Sequence, residues 1–248
     1  MLQLSLLRGQ ELTILNHVAL ILDGNRRWAA SRGLPVIEGY KLGADRVKET
    51  ITFAIQNKLP MLSMYFFSTE NWIRDPQEVG ALFSFMDDFL GDHINLLCEQ
   101  GVCIHILGRL DRLPSFLKKS VEDAVAKTSK GTTMVLNIAL DYGGRDEILR
   151  AAAKAKNQYT GDLNLLSEQH FRQYLDLPEM PDPDLVIRTG GEMRVSNFLL
   201  WQIAYAELFF SKKMWPEFTV DDFEEALIDY QQRSRRRGGD AQYVSRLS

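Results

Sequence analysis

Residues 17–33 read HVALILDGNRRWAASRG, and the change of character at Asp23 decides the architecture. HVALIL is β-branched and Leu-rich with no polar alternation, the pattern of a strand buried on both faces of a parallel sheet. It stops at Asp23-Gly24-Asn25, and RRWAASRG then opens a helix that Gly33 and Pro35 end. From Tyr40 to Gln56 helical spacing resumes through Leu42, Val47, Ile51, Ala54 and Ile55. Outward from this unit, strand, turn and helix recur. MLSMYFF (61–67) leads through Ser68-Thr69-Glu70-Asn71-Trp72 and a mobile loop at 73–77 to an amphipathic helix at 77–98. VCIHIL (102–107) precedes a Lys-rich helix at 115–128, and MVLNIAL (134–140) ends in DYGGR (141–145) before a helix at 146–156. After loop-rich residues 157–183, with a short helix at 168–174, DLVIRTGGEMR (184–194) supplies another strand end, LFFS (208–211) a last strand and 220–232 a last helix. This alternation predicts a single α/β domain, an open, mostly parallel sheet flanked by helices, with ligands beyond the carboxyl ends of its strands.

Composition narrows the class. The chain has 248 residues, 45% hydrophobic and 25% charged, which excludes disordered, collagenous and coiled-coil proteins. Lys plus Arg number 29 against 33 Asp plus Glu, a formal charge of -4, so the average surface does not call for nucleic acid. Two cysteines cannot build a disulfide framework, no leader is visible, and no apolar run approaches the roughly 20 residues that span a bilayer. The expectation is a cytoplasmic protein without a transmembrane segment, divided into an N-terminal segment (1–16), one domain (17–239) and a C-terminal tail (240–248).

The predicted strand ends share one chemistry: DGNRRW (23–28), STENW (68–72) with Arg74, DYGGR (141–145), and RTGGEMR (188–194) with Ser196 and Asn197. Glycines admit a ligand close to the backbone, and Arg presents planar donors matched to phosphate. A single strand-end Arg is more often a salt-bridged surface residue, but loops of this kind at successive strand ends point to an anion site. Arg26, Arg27, Arg74, Arg188 and Arg194 exceed what one monophosphate needs, which implies two diphosphates or one polyphosphate. Asp23 among them would repel phosphate unless a cation lay between, and Mg²⁺ bridges one or two carboxylates to phosphates; the plain alternative for Asp23 is a helix N-cap. Glu207, in an apolar run, is the candidate second carboxylate. Trp28 and Trp72 are read equally as walls of the site or as core.

Other signatures fail. There is no Gly-x4-Gly-Lys-Ser/Thr and no Gly-x-Gly-x-x-Gly after a strand. His93, Cys98, Cys103 and His105 would be split between a helix and a buried strand, a poor zinc set. Asp87-Asp88 reads as the polar face of a helix, and Asp221-Asp222 as the first turn of a helix capped by Thr219.

HVALILDGNRRWA, FFSTENW with Arg74, LNIALDYGGR, DLVIRTGGEMRVSNFLLWQIAYAELFF and WPEF together resemble the cis-prenyltransferases, the family of bacterial undecaprenyl diphosphate synthase, over residues 17–239. The resemblance implies an open parallel α/β sheet and an Mg²⁺-dependent condensation of isopentenyl diphosphate with an allylic diphosphate such as farnesyl diphosphate. The product would be a long cis-polyprenyl diphosphate, the lipid carrier for cell-wall glycans, made by a homodimer with peripheral membrane contact at product release. By position, Asp23 matches the family's metal-binding aspartate at the allylic diphosphate, cradled by Gly24, Asn25, Arg26 and Arg27 with Trp28 beside it. Arg188, Arg194, Val195 and Ser196 match the isopentenyl diphosphate segment, and Glu207 a carboxylate associated with metal, on this chain or from the partner subunit. Ser68, Thr69, Glu70, Asn71, Trp72 and Arg74 match the segment between the substrates, with Asn71 assigned to deprotonation. An amide is far too weak a base to take a proton outright, so Asn71 is expected to orient Ser68 or the released diphosphate, which takes it. Arg236-Arg237-Gly238 resembles a C-terminal element that reaches the site across the dimer.

Departures from the family pattern bear on affinity and metal arrangement. Val36 and Tyr40 stand where relatives commonly carry Arg and His, and Met193 where His is frequent. Phe66 occupies a tunnel position that is small in many long-chain members, so it is a candidate floor that stops elongation early. The competing readings are a short-chain or irregular cis-prenyl synthase, and a non-catalytic partner subunit.

Overall fold

The computed structural model describes residues 5–7, 10–12 and 15–233; the Arg236-Arg237-Gly238 element and the 240–248 tail lie outside the described residues. β1 (Ser5–Leu7) and β2 (Gln10–Leu12) form a two-stranded antiparallel ribbon that no sequence signal marks. Six strands build the main sheet: β3 (His17–Ile21), β4 (Met61–Ser68), β5 (Val102–Leu107), β6 (Met134–Tyr142), β7 (Leu185–Arg188) and β8 (Glu207–Phe210). Their order is β5-β6-β4-β3-β7-β8 and each pairing is parallel, as the helix-strand alternation predicts. All five residues of β3 are buried, as its unbroken apolar run requires.

The helices are α1 (Asn25–Ser31), α2 (Val36–Gln56), α3 (Pro76–Glu99), α4 (Ser115–Thr128), α5 (Gly144–Gln158), α6 (Glu168–Arg172) and α7 (Val220–Gln232). Two boundaries correct the sequence reading. Pro35 ends the turn after α1 but also opens α2, four residues before Tyr40: at φ -56° it stands at the N-cap, where its fixed φ and missing N–H cost nothing. The expected mobile loop at 73–77 is taken up by other structure: Ile73 ends a short 3₁₀ turn, Thr69–Ile73, and after Arg74 and Asp75 the helix α3 begins at Pro76. Asp75 caps that helix, its side chain accepting from the N–H groups of Gln77 and Glu78, with Pro76 in the first turn, a start signal present in the sequence.

One apolar cluster joins α2, α3, α4 and α7 to one sheet face through Val18, Leu20, Leu62, Met64, Ile104, Leu136, Ile51, Phe83, Leu117 and Phe223. A smaller one covers the other face through Ala19, Ile21, Tyr65, Ala139, Met180, Val186 and Phe198. β4 breaks its alternation near its end: register shifts flank Phe67, so Phe66 and Phe67 both join the larger cluster. A bulge of this kind beside a site re-aims side chains. It seats Phe67 in an aromatic group with Trp72 and Phe83, ring centres 5.4 and 4.9 Å away.

Candidate active site

From β3 the chain proceeds to β4 on one side, and from β7 to β8 on the other. The carboxyl ends of β3 and β7 therefore flank the point where strand order reverses, where α/β sheets open a crevice for ligands. Ile21 pairs in register with Arg188, which sets Asp23 and Arg188 side by side. Arg188 is 4% exposed. Its Nη2 donates to Asp23 Oδ2 (2.8 Å) and its Nη1 to Ser196 Oγ and the Arg194 carbonyl (both 2.6 Å). Its Nε is buried with no partner among the described residues, an N–H whose desolvation an incoming oxyanion would offset. Arg27 Nη2 lies 3.1 Å from the same Asp23 oxygen, and Asp23 Oδ1 carries no hydrogen bond or ion pair among the described residues. Gly24 follows at φ 115°, where a Cβ would stand 2.7 Å from that of Met214, so no larger residue fits. Thr189 Oγ1 and the Trp215 N–H both donate to the Asp23 carbonyl (2.7 and 2.9 Å), fixing the turn that aims the carboxylate.

The 68–74 segment is held as tightly. Ser68 and Asn71 form a capping box, in which Asn71 Oδ1 accepts from the Ser68 N–H at 3.1 Å. The Asn71 side chain is thus bonded to the Ser68 backbone, and the Ser68 side chain accepts from the Asn71 N–H in return. Trp72 packs edge-on against Phe67 and Phe83 and donates Nε1–H to Asp141 (2.8 Å). Asp141 is fully buried at φ 48° and takes a two-pronged contact from Arg112 (2.7 and 2.5 Å). Of the two readings of Trp72, the structure supports core: it anchors the turn and does not line the cavity. Trp28 is also outside the cavity lining, with the Arg32 guanidinium 4.5 Å over its ring. On Glu70, burial pushes the carboxyl up, but hydrogen bonds from Asn197, its own backbone, Ser68 and Thr69 outweigh it and hold the group below the usual carboxylate range.

One cavity of about 530 Å³ begins at Asp23, Gly24, Asn25, Arg26, Arg27 and Arg74 and continues between α2, α3, α4 and the sheet. Its inner walls are aliphatic and aromatic: Val47, Ile51, Phe66, Leu82, Met86, Phe89, Leu97, Ile104, Val121, Ala124 and Leu136. From Leu82 to Leu97 the α3 wall is roughly 22 Å long at 1.5 Å per residue. Ile104 and Leu136 are in register with Leu62, four residues before Phe66, so the cavity runs roughly 13 Å past Phe66 toward the amino ends of the strands. Phe66 is a wall of this cavity rather than its floor.

At the mouth sits a residue that sequence reading missed. Glu78, in the first turn of α3, lies 3.1 Å from Arg26 Nε and 3.9 Å from Arg74 Nη1, and accepts from the Tyr40 hydroxyl at 3.0 Å. Burial raises the Tyr40 phenol to about 12, against the pull of Arg74 and with the support of Glu78, so the hydroxyl stays protonated and donates. The only signal in the sequence was Glu78's place one turn after the cap Asp75.

Glu207 is not brought to this cluster within the chain. It pairs in register with Leu185 at the amino end of β8, while Phe210 is level with Arg188, and its carboxylate is held by Arg233 at 2.9 Å. Arg194 is mostly exposed and bound to Glu192 (2.6 Å), and Val195 lies in the same loop, its carbonyl accepting from the Phe198 N–H (3.0 Å). Among the described residues no group of three or more His, Cys, Asp or Glu could hold a metal ion. Asp222 belongs to the Thr219 capping box, as read. Asp23 Oδ1, the oxygen that neither Arg188 nor Arg27 takes, leaves one carboxylate position open at this cluster, which suits a divalent cation completed by phosphate and water.

Comparisons agree with this geometry. A family model described as "Putative undecaprenyl diphosphate synthase" matches residues 21–238. An isoprenyl transferase of Thermotoga maritima is 46% identical over 224 residues, 90% of this chain and 96% of that protein; one of Aquifex aeolicus is 44% identical over 222 residues, 90% and 95% of the two chains. Among solved structures, lavandulyl diphosphate synthase from Lavandula x intermedia, crystallised with dimethylallyl diphosphate, superposes with a TM-score of 0.86 at 35% identity, over 91% of this chain and 98% of its own. A "probable undecaprenyl diphosphate synthase" from Campylobacter jejuni gives 0.77 at 31%, over 91% and 99%. A parallel sheet with its switch point at Asp23 and Arg188, an amphipathic cavity and these relatives make the chain a member of the undecaprenyl diphosphate synthase family of isoprenyl transferases, the cis-prenyltransferases.

Proposed function

We propose that the protein condenses isopentenyl diphosphate with an allylic diphosphate, farnesyl diphosphate as primer, to a long cis-polyprenyl diphosphate of the undecaprenyl type. The observation that carries this is the cavity: arginine-rich at its mouth, where Asp23 and Glu78 stand among the guanidinium groups, and apolar for the rest of its length, the complement of a prenyl chain ending in a diphosphate. In this reading Asp23, Gly24, Asn25, Arg26, Arg27 and Arg74 hold the allylic diphosphate, and Arg188, Arg194, Val195 and Ser196 the isopentenyl diphosphate. The guanidinium groups stabilise charge building on the departing diphosphate. The isopentenyl double bond attacks the allylic carbon as its bond to the diphosphate breaks, and the proton lost from the adduct goes to the released diphosphate, directly or relayed through the Ser68 hydroxyl. Asp23 would hold Mg²⁺, which when bound would supply Lewis-acid neutralisation of that charge. The wall continuing past Phe66 favours the long product. Lipid-carrier supply for cell-wall glycans, a cytoplasmic homodimer completed by Glu207 or the 236–238 element of a partner, and peripheral membrane contact at product release belong to the same reading. No helix among the described residues is long and apolar enough to cross a membrane.

A second reading, a short-chain or irregular synthase, draws on Val36 and Tyr40 at the mouth and on the likeness to the lavandulyl enzyme. Purified protein incubated with farnesyl diphosphate, labelled isopentenyl diphosphate and Mg²⁺, with EDTA as control, separates the two by product length. A ladder ending at a long product is expected. Arrest after one or two additions assigns the short-chain reading, and no product with any primer leaves a non-catalytic partner subunit.

A further inference from the structure

Three loops meet at Asn197. Its Nδ2 donates to Glu70 Oε1 at 2.8 Å, its Oδ1 accepts from the Arg145 N–H at 2.9 Å, and its carbonyl accepts from the Gly144 N–H at 2.7 Å. One side chain thus ties the turn after β4 to the start of α5 after β6, and both to the loop after β7. The neighbouring Ser196 hydroxyl accepts from Arg188, which holds Asp23. The line Asp23, Arg188, Ser196–Asn197, Glu70 therefore runs unbroken from the diphosphate-holding half of the site to the segment carrying Ser68 and Asn71.

The backbone is built for that contact. Ser196, Asn197 and Leu199 stand at φ 44°, 64° and 45°, the left-handed region that Asn tolerates and Ser and Leu avoid. Such a loop persists only where its surroundings hold it, and it gathers at functional sites. Its neighbours leave no slack: a Cβ on Gly143 would stand 2.6 Å from Thr69 Oγ1 and 2.7 Å from Asn197 Nδ2.

We infer that Asn197 is a positioning residue that sets the register between the two halves of the site, through Glu70; the inference rests on the condensation reading above. It acts on register rather than on the fold, because each loop has its own anchor. The 68–72 turn keeps its capping box and the Trp72–Asp141 bond, and Arg188 keeps the Arg194 carbonyl and Asp23.

The test uses the full chain and three variants: N197A, N197D, and N197D combined with E70Q. Displacing reacting groups by about 1 Å costs roughly a hundredfold. N197A is therefore expected to lower kcat by about that factor at saturating substrates, with KM for farnesyl diphosphate within about twofold and a melting temperature lower by about 2–4 °C, the scale of roughly 1 kcal/mol for Ala at a left-handed backbone position. N197D sets two carboxylates against each other and loses at least as much. Adding E70Q reverses the pair, the amide introduced at position 70 donating to the carboxylate at position 197, and restores at least about tenfold. Wild-type kcat in N197A, a loss that merely follows the melting temperature, or no rescue of N197D by E70Q in an otherwise active enzyme overturns the inference alone. A wild-type protein that forms no product overturns the condensation reading and the inference with it.

Discussion

At the scale of single residues, charge is arranged so that each ion at the site is already held by another. Asp23 is shared by Arg188 and Arg27, and Arg26 and Arg74 converge on Glu78. Asp23→Ala removes the carboxylate that orients Arg188 and would carry the metal. Turnover is expected to fall about a thousandfold or more with the circular dichroism spectrum unchanged, and near-normal turnover would take Asp23 out of the metal role. Glu78 is the built-in counter-ion of the mouth, so an incoming diphosphate competes with it for two guanidinium groups. Glu78→Gln should tighten inorganic pyrophosphate binding by about two- to fivefold, the scale of a partly exposed ion pair. Calorimetry on the variant reads this directly, and weaker binding would mean that Glu78 aligns the arginines instead of occupying them.

At the scale of elements, α2, α3 and α4 stand off the sheet far enough to leave a cavity, and the bulge in β4 decides what faces it. Val121 and Ala124 of α4 line its inner part, beyond the level of Phe66. Ala124→Trp is expected to shorten the product, with an overpacking cost of about 1–3 kcal/mol in stability, and chromatography of the prenyl ladder measures it. An unaltered ladder would mean that the growing chain leaves by another path. The apolar stripe of α3 was legible in the sequence from its spacing at three and four. That the stripe lines a void was not, because core and tunnel demand the same side chains and differ only in how closely the opposite wall approaches.

At the scale of the molecule, stability carries a pH signature away from the site. His17 is fully buried at the start of β3, its ring bonded to the Pro181 carbonyl and Ser63 Oγ, both at 2.7 Å. Burial lowers it to about 4, overriding the upward pull of the Pro181 carbonyl, Asp184 and Asp182. Between about pH 6.5 and 4 the unfolded chain takes up this proton and the folded one does not. Stability is therefore full above about 6.5 and falls as pH drops through that window, by about 3 kcal/mol in all. Denaturant titrations across that window should show this slope in the wild type and a flatter one in His17→Asn; parallel slopes would assign the acid sensitivity to other groups.

What the sequence determined by itself was the α/β layout and which residues stand at the strand ends, because both are local. Apolar runs, turn residues and Arg-Gly clusters at strand ends are written in contiguous stretches such as HVALILDGNRRW and DLVIRTGGEMR. The tertiary structure decided which of these clusters touch. Strand order alone places Arg188 against Asp23, 165 residues away in the chain, and parallel register alone puts Glu207 at the opposite end of β8 from Phe210, away from the carboxyl-end cluster. Glu78 was overlooked for the same reason, and Asn197, placed at its strand end, was not joined there to Glu70 or Arg145. Their chemistry comes from partners brought to them by the sheet, and no spacing along the chain encodes a distance across it.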